Sequence, residues 1–202
     1  MNKNIIKDTL KLVSITLIAG VLLSFVYQLT KDTIDKAEAE ELQQSYREAF
    51  PMASDFEETN ADASASLDDG NTLNSALYAK DDSGNVLGCV LSITSHNGYG
   101  GDIVLTMGVD KSGVITGVKV TSMGETSGLG ANCQNDEWIT QYSGISGRAE
   151  FTKTGKSKPN EIDAISGATI TTRAVTSAVN SGLKLAEEQF GFSENSEGSD
   201  KE

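Results

Sequence analysis

The run from Leu12 to Leu29, LVSITLIAGVLLSFVYQL, is predominantly apolar and holds no charged side chain. At about 1.5 Å of rise per residue it nearly crosses a hydrocarbon layer about 30 Å thick, and Ile5 and Ile6 extend it. A cleaved signal peptide needs a shorter apolar region followed by small residues in an A-x-A-like pattern, and Phe25, Val26, Tyr27 and Gln28 do not supply one. The run therefore reads as an uncleaved transmembrane anchor. Lys3, Lys7 and Lys11 precede it, whereas Lys31 and Lys36 after it are mixed with Asp32, Asp35, Glu38, Glu40 and Glu41. The positive-inside tendency places the N-terminus in the cytoplasm and the remainder outside.

Beyond the span, Lys31 to Phe50 is rich in Ala, Glu, Gln and Leu and free of Gly and Pro, which predicts a helical stalk ending at Pro51. Met52 to Ser75 is acidic and poor in large apolar residues, and it reads as a loop. Three runs then alternate with a period of two: Leu87, Cys89, Leu91 and Ile93; Ile103, Leu105, Met107 and Val109; Val114, Thr116, Val118 and Val120. Turn-rich breaks at Asn97–Gly101 and Asp110–Gly113 separate them, and a further strand is expected at Leu77–Lys80, so the centre is an antiparallel meander. A Gly-rich loop over Met123–Asn132 and a short helix around Trp138, within Asn135–Tyr142, follow. From Ile170 onward, Ala174, Val175, Ala178, Val179, Gly182, Leu183 and Ala186 form one helical stripe, with Thr172, Arg173, Thr176, Asn180, Lys184 and Glu187 largely off it. The chain thus divides into an anchor at 1–30, a stalk and acidic loop at 31–75, an α+β domain at 76–190 whose antiparallel sheet packs against helices, and a disordered acidic tail at 191–202. No internal repeat is visible.

An apolar fraction of 38% suits one modest core, and a formal net charge of -13 repels phosphate backbones, which argues against nucleic acid. With one histidine, His96, and two cysteines, Cys89 and Cys133, the chain has too few ligands for a zinc, haem or iron–sulfur site. Redox chemistry would need an organic cofactor. The two cysteines can pair in an oxidising space or sit apart as small buried hydrophobes, and the second reading is preferred. Several fragments fail on spacing. Gly155-Lys156-Ser157 lacks the first glycine of a P-loop, with Glu150 in its place. Gly128-Leu129-Gly130 lacks the third glycine of a dinucleotide fingerprint. Ser181-Gly182-Leu183-Lys184 and Lys153-Thr154-Gly155 stand in the wrong order for a penicillin-binding enzyme, and no G-x-S-x-G accompanies His96.

Asp163-Ala164-Ile165-Ser166-Gly167-Ala168-Thr169-Ile170-Thr171 lies where a loop meets the final helix. Small residues let a ligand approach the backbone, and unpaired N–H groups at a helix N-terminus favour a phosphate. Taken alone, the fragment favours the plainer reading of Ser166, Thr169 and Thr171 as helix-capping candidates.

Together with Gly98-Tyr99-Gly100-Gly101 and Gly124-Glu125-Thr126-Ser127-Gly128-Leu129-Gly130, in that order, the segment resembles the FMN-binding domain family. That family is found in the G subunit of Rnf ferredoxin:NAD oxidoreductase complexes and in the related C subunit of sodium-pumping NADH:quinone reductases. The resemblance covers the N-terminal span and Leu77 to about Glu188, departing at Ser127, where many members have proline. The short length and lack of a large insertion favour the Rnf member. The resemblance implies FMN esterified through its phosphate to Thr169 by a dedicated flavin transferase that uses FAD, with Asp163 at the acidic position of its recognition motif. It further implies that Ser166, Gly167, Ala168 and Thr171 surround the phosphate, and that Glu125, Thr126, Gly128, Leu129 and Gly130 lie against the flavin. Tyr99, Met123 and Trp138 are candidates to line the ring or ordinary core residues, and Arg173 is a candidate to neutralise the phosphate or a solvated cation. Such a protein sits in a bacterial cytoplasmic membrane with its domain outside the cytoplasm. It relays electrons among other membrane subunits and is not catalytic alone. The competing class is a non-redox exported binding module.

Overall fold

In the computed structural model, residues 3–61 and 66–193 are described. They form helix α1 (Lys3–Ala49), strands β1 (Asp55–Glu58), β2 (Asn71–Lys80), β3 (Val86–Ser95), β4 (Ile103–Asp110) and β5 (Ile115–Met123), helix α2 (Asp136–Ile139), strands β6 (Glu150–Thr152) and β7 (Glu161–Asp163), and helix α3 (Thr169–Phe190). By compactness the chain divides into 1–43 and 44–202, so the end of α1 from Gln44 belongs to the second unit. In the first unit, Ile6–Lys31 is long and apolar enough to cross a membrane.

The sheet is a five-stranded antiparallel meander in the order β1-β2-β3-β4-β5, and β6 and β7 make a separate parallel pair. Most of the alternating runs fall on β3, β4 and β5, and the register pairs Leu91 with Met107 and Met107 with Val118. Three of the residues expected on those faces depart: Val114 precedes β5, a register shift turns Thr116 to the opposite face, where it bonds Ala49, and Leu87 packs with the cluster on that opposite face. Two stretches differ from expectation. The acidic segment read as a loop contains β1, which pairs Asp55 to Glu58 with Lys80 to Leu77, and β2 begins at Asn71 rather than Leu77. Backbone pairing makes β1 an edge strand, where charged side chains face water and no apolar alternation is required. In β2 a register shift between Leu73 and Ser75 breaks the two-residue period that would have revealed its first half.

One face of the sheet carries α3. Its stripe, Ala174, Val175, Ala178, Val179, Leu183 and Ala186, is buried against Leu91, Ile93, Leu105 and Met107 in one core cluster. Each fully buried Val or Leu contributes about 1.5–3 kcal/mol. Gly182 lets the helix come close: a β-carbon there would lie 2.3 Å from the Met107 sulfur and 2.9 Å from Ile93. Thr172 and Thr176, expected off the stripe, are buried as well. The Thr176 hydroxyl meets that of Tyr142 at 2.8 Å, and Thr172 Oγ1 accepts the Ile165 N–H at 3.0 Å. The segment from α2 to β7 covers a second side of the helix, so these hydroxyls satisfy buried donors instead of facing water.

The opposite face receives the end of α1. Tyr46, Ala49 and Phe50 pack with Leu77, Ala79 and Val90 in a second cluster. Glycines make the seat: a β-carbon on Gly108 would sit 2.4 Å from the Ala49 carbonyl oxygen, one on Gly117 2.7 Å from that of Glu48, and one on Gly88 2.6 Å from the Phe50 ring. Gly108 and Gly117 are cross-strand partners, so their bare backbones lie side by side under the helix end. Thr116 Oγ1 donates to the Ala49 carbonyl at 2.6 Å, and Lys119 pairs with Glu48 at 2.8 Å.

Cys89 and Cys133 are both buried and unpaired as disulfides. Burial pushes their thiols up to about 12 and about 11, so neither is a ready thiolate. After α3, Gly191 adopts a left-handed conformation and donates its N–H to Glu187, while Phe192 stacks on Phe190. The rest of the expected tail, 194–202, lies outside the described residues.

Candidate functional site

Thr169 is the first residue of α3 and is half-buried. Ala168 before it caps the helix with no side-chain hydrogen bond, and Gly167 at φ 76° makes the turn into it. Among the described residues the N–H groups of Thr169, Ile170 and Thr171 have no protein acceptor. They leave the positive end of a long helix open to an anion. Ser166 and Gly167 are exposed, and Ala168 is buried.

Three segments distant in sequence meet here, and Glu125 joins them. Its Oε1 accepts the N–H of Tyr99 at 2.7 Å and of Gly100 at 3.2 Å, and its Oε2 accepts the Thr171 hydroxyl at 2.9 Å. The surrounding glycines are required by closeness. A β-carbon on Gly130 would fall 2.2 Å from Glu125 Oε2 and 2.7 Å from Thr171 Oγ1. One on Gly98 would lie 2.9 Å from Glu125 Oε1, and one on Gly100 2.1 Å from the Gly124 carbonyl oxygen. Leu129 approaches from the same loop, 3.3 Å from the β-carbon position of Gly167. Thr126 and Gly128 are exposed on that loop, where the Thr126 carbonyl accepts the N–H of Leu129 and of Ala131.

The apolar surface is concentrated at the same place. Beyond α1, the exposed large apolar side chains among the described residues are Met52, Tyr99 at 71%, Leu129 at 46% and Ile170 at 49%. The last three come one from each of the three segments. A domain that exposes one large apolar side chain from each of the three segments offers a small platform for a partly apolar ligand. In the sequence, Ile170 stands at the start of the helical stripe and is indistinguishable from a core residue. Its exposure at the first turn, where α3 no longer covers the sheet, is visible only in three dimensions.

The three ring-lining candidates separate. The Tyr99 side chain is exposed. Trp138 donates its indole N–H to the Asp163 carbonyl at 2.7 Å and meets Tyr142 edge-on at 5.6 Å, while the Met123 sulfur lies 3.5 Å from the Cys133 sulfur. Arg173 is exposed one turn after Thr169 and forms no ion pair among the described residues.

Asp163 ties the segment to the preceding loop: its Oδ1 accepts the Lys156 N–H at 2.7 Å, and its own N–H donates to Gln141 at 2.8 Å. Glu161 shapes the same loop, its Oε2 accepting the N–H and hydroxyl of Ser157, each at 2.8 Å, and the N–H of Lys158 at 3.1 Å. The Ser157 bonds, aided by Lys158, hold this carboxyl at about 2, below its ordinary 4.5. An unfolded chain takes up the proton near 4.5 and the folded chain only near 2. The contribution to stability is therefore complete above 4.5 and is lost as pH falls toward 2. Glu161→Gln should flatten that part of the acid-unfolding profile, and an unchanged profile would refute the assignment.

A cleft of about 400 Å³, lined by Asp68, Arg148, Asn180, Lys184, Glu187 and Phe192 among others, lies toward the other end of α3. It includes none of the three motif segments, and its mixed charges assemble no comparable chemistry. No metal-ligating cluster occurs among the described residues. What the Thr169 site offers is a hydroxyl, open backbone donors and an apolar rim, a combination that fits a phosphate bearing a flat, partly apolar group.

Fold and site thus define an FMN-binding domain carried on an apolar N-terminal helix: residues 98–184 match the model of the FMN-binding domain, and residues 1–48 match that of the RnfG N-terminal region. The chain is 34% identical to the G subunit of the ion-translocating oxidoreductase complex of Methanosarcina acetivorans, over 94% of this chain and 98% of that one. It is 30% identical to the G subunit of the Na(+)-translocating ferredoxin:NAD(+) oxidoreductase complex of Acetobacterium woodii, over 91% and 92%. It belongs to the family of G subunits of ion-translocating oxidoreductase complexes, and its apolar helix is the membrane anchor. Among solved structures, Shewanella oneidensis NqrC aligns with a TM-score of 0.46 at 22% identity, over 65% of this chain and 66% of that one.

Proposed function

We propose that this protein carries FMN covalently, through a phosphoester on Thr169, and relays electrons within an Rnf-type ferredoxin:NAD oxidoreductase complex. The observation that carries the reading is the placement of the Thr169 hydroxyl. It stands at an uncapped helix N-terminus, where three segments meet and each exposes one apolar side chain. Ser166 to Thr171 would hold the phosphate through backbone donors, and Leu129, Ile170 and Tyr99 would support the ring. FMN supplies the capacity to accept one or two electrons, and the protein supplies position and local charge.

Attachment balances as a phosphoryl transfer. The phosphoanhydride bond of FAD breaks, the bond between Thr169 Oγ1 and the FMN phosphorus forms, AMP leaves, and the threonine proton goes to solvent. A dedicated flavin transferase performs the step and reads Asp163 as part of its target. The match of residues 1–48 to the RnfG N-terminal region favours this assembly over the sodium-pumping quinone reductase. Intact mass tests the reading. Chain co-expressed with the transferase should gain the mass of FMN less one water, and the unmodified mass alone would defeat it.

The charge bias around the anchor supports a domain outside the cytoplasm, where lost FMN is not readily replaced and a covalent link would retain it. Protease added to intact spheroplasts should digest the domain. Full protection would put it on the inner side.

A further inference from the structure

We propose that Glu125 is a positioning residue. Its carboxylate braces the Gly98–Gly101 loop against the first turn of α3 and so sets the presentation of Thr169. The inference rests on the reading of Thr169 as the flavin acceptor and adds to it a residue whose job is done through protein contacts. The family resemblance implies that Glu125 is a flavin contact, yet both carboxylate oxygens are committed to the protein. Oε1 takes the N–H of Tyr99 at 2.7 Å and of Gly100 at 3.2 Å, and Oε2 takes the Thr171 hydroxyl at 2.9 Å.

Thr171 is 1% exposed and lies one peptide beyond Ile170, so a bond on its side chain fixes the rotation of the turn that begins at Thr169. Bonds to an ionised acceptor are stronger than neutral ones, and three converge on this one group. The neighbouring glycines are shaped to the brace. Alanine at Gly130 would bring a methyl group 2.2 Å from Oε2, and alanine at Gly98 one 2.9 Å from Oε1. Glycine at these places keeps room for the carboxylate as well as for a ligand.

Glutamine preserves this geometry without the charge. Its amide oxygen accepts from Tyr99 and Gly100, and its amide nitrogen donates to Thr171 Oγ1. Alanine preserves neither. Valine at Thr171 keeps the shape and removes the hydroxyl. The test uses the full-length chain with Glu125→Ala, Thr171→Val, both together, and Glu125→Gln. The first readout is the rate of FMN attachment by the transferase. The second, on chain made without the transferase, is amide hydrogen exchange of the Tyr99–Gly100 segment.

Glu125→Ala and Thr171→Val should each slow attachment about tenfold or more, and the double variant should be no slower than the worse single one. Glu125→Gln should recover most of the rate. Tyr99–Gly100 exchange should quicken about tenfold in Glu125→Ala and stay near wild type in Glu125→Gln. Wild-type attachment speed in Glu125→Ala, multiplying effects in the double variant, or unchanged exchange would overturn the brace. If the wild-type chain takes no FMN while exchange responds as stated, the brace stands and the acceptor reading falls.

Discussion

Thr169→Val is expected to abolish covalent flavin while leaving the fold intact. The valine matches threonine in shape, and the cap of α3 is Ala168, which makes no side-chain bond that the change could remove, so the cost to stability should stay below about 1 kcal/mol. For a domain of this size that is a shift in melting temperature of at most about 2–4 °C. The chemical effect is all-or-none, because an ester cannot form without the hydroxyl. In-gel fluorescence after denaturation and intact mass should both show complete loss, and Thr169→Ser should retain some modification. Full fluorescence in Thr169→Val would move the attachment elsewhere, with Ser166 the nearest exposed hydroxyl in the motif.

Gly108→Ala is expected to destabilise the sheet and its contact with the end of α1 strongly. Its β-carbon would lie 2.3 Å from Thr116 Oγ1 and 2.4 Å from the Ala49 carbonyl oxygen, and backbone cannot swing aside as a flexible side chain can. Overpacking of this kind costs about 1–3 kcal/mol. Lifting the helix end also breaks the 2.6 Å bond from Thr116 to Ala49 and loosens Phe50, adding about 1–2 kcal/mol. Thermal unfolding of the detergent-solubilised chain should shift down by several degrees. A variant as stable as wild type would mean that the helix end is not seated on this glycine.

Strands β3 and β4 and helix α3 are legible in the sequence because most of their larger apolar side chains keep to one face at a period of two or of about four, although both strands are buried on both faces. Strand β5 is legible only past its register shift, from Val118 on. The first half of β2 is not, since its register shift moves Ser75 out of step with Leu73. Nor is β1, whose place depends on pairing with Leu77 to Lys80 rather than on its own apolar residues. Glycines in strands are ambiguous on paper. Gly88, Gly108 and Gly117 read as weak points in a pattern until the end of α1 is seen lying on them. Motif order suffices to single out the three segments of the candidate site. What it does not convey is the carboxylate that joins them, or that Ile170 faces outward, because both follow from contacts between residues far apart in the chain.

That separation has a consequence for maturation. Glu125 is 26 residues from Tyr99 and 46 from Thr171 in sequence, so the geometry around Thr169 does not exist in a nascent or partly folded chain. Only when the meander has closed and α3 has docked is there an acceptor of the right shape. On the proposed attachment, a transferase that requires that shape would discriminate between finished and unfinished molecules, and the attached flavin would then serve as a record that folding came first.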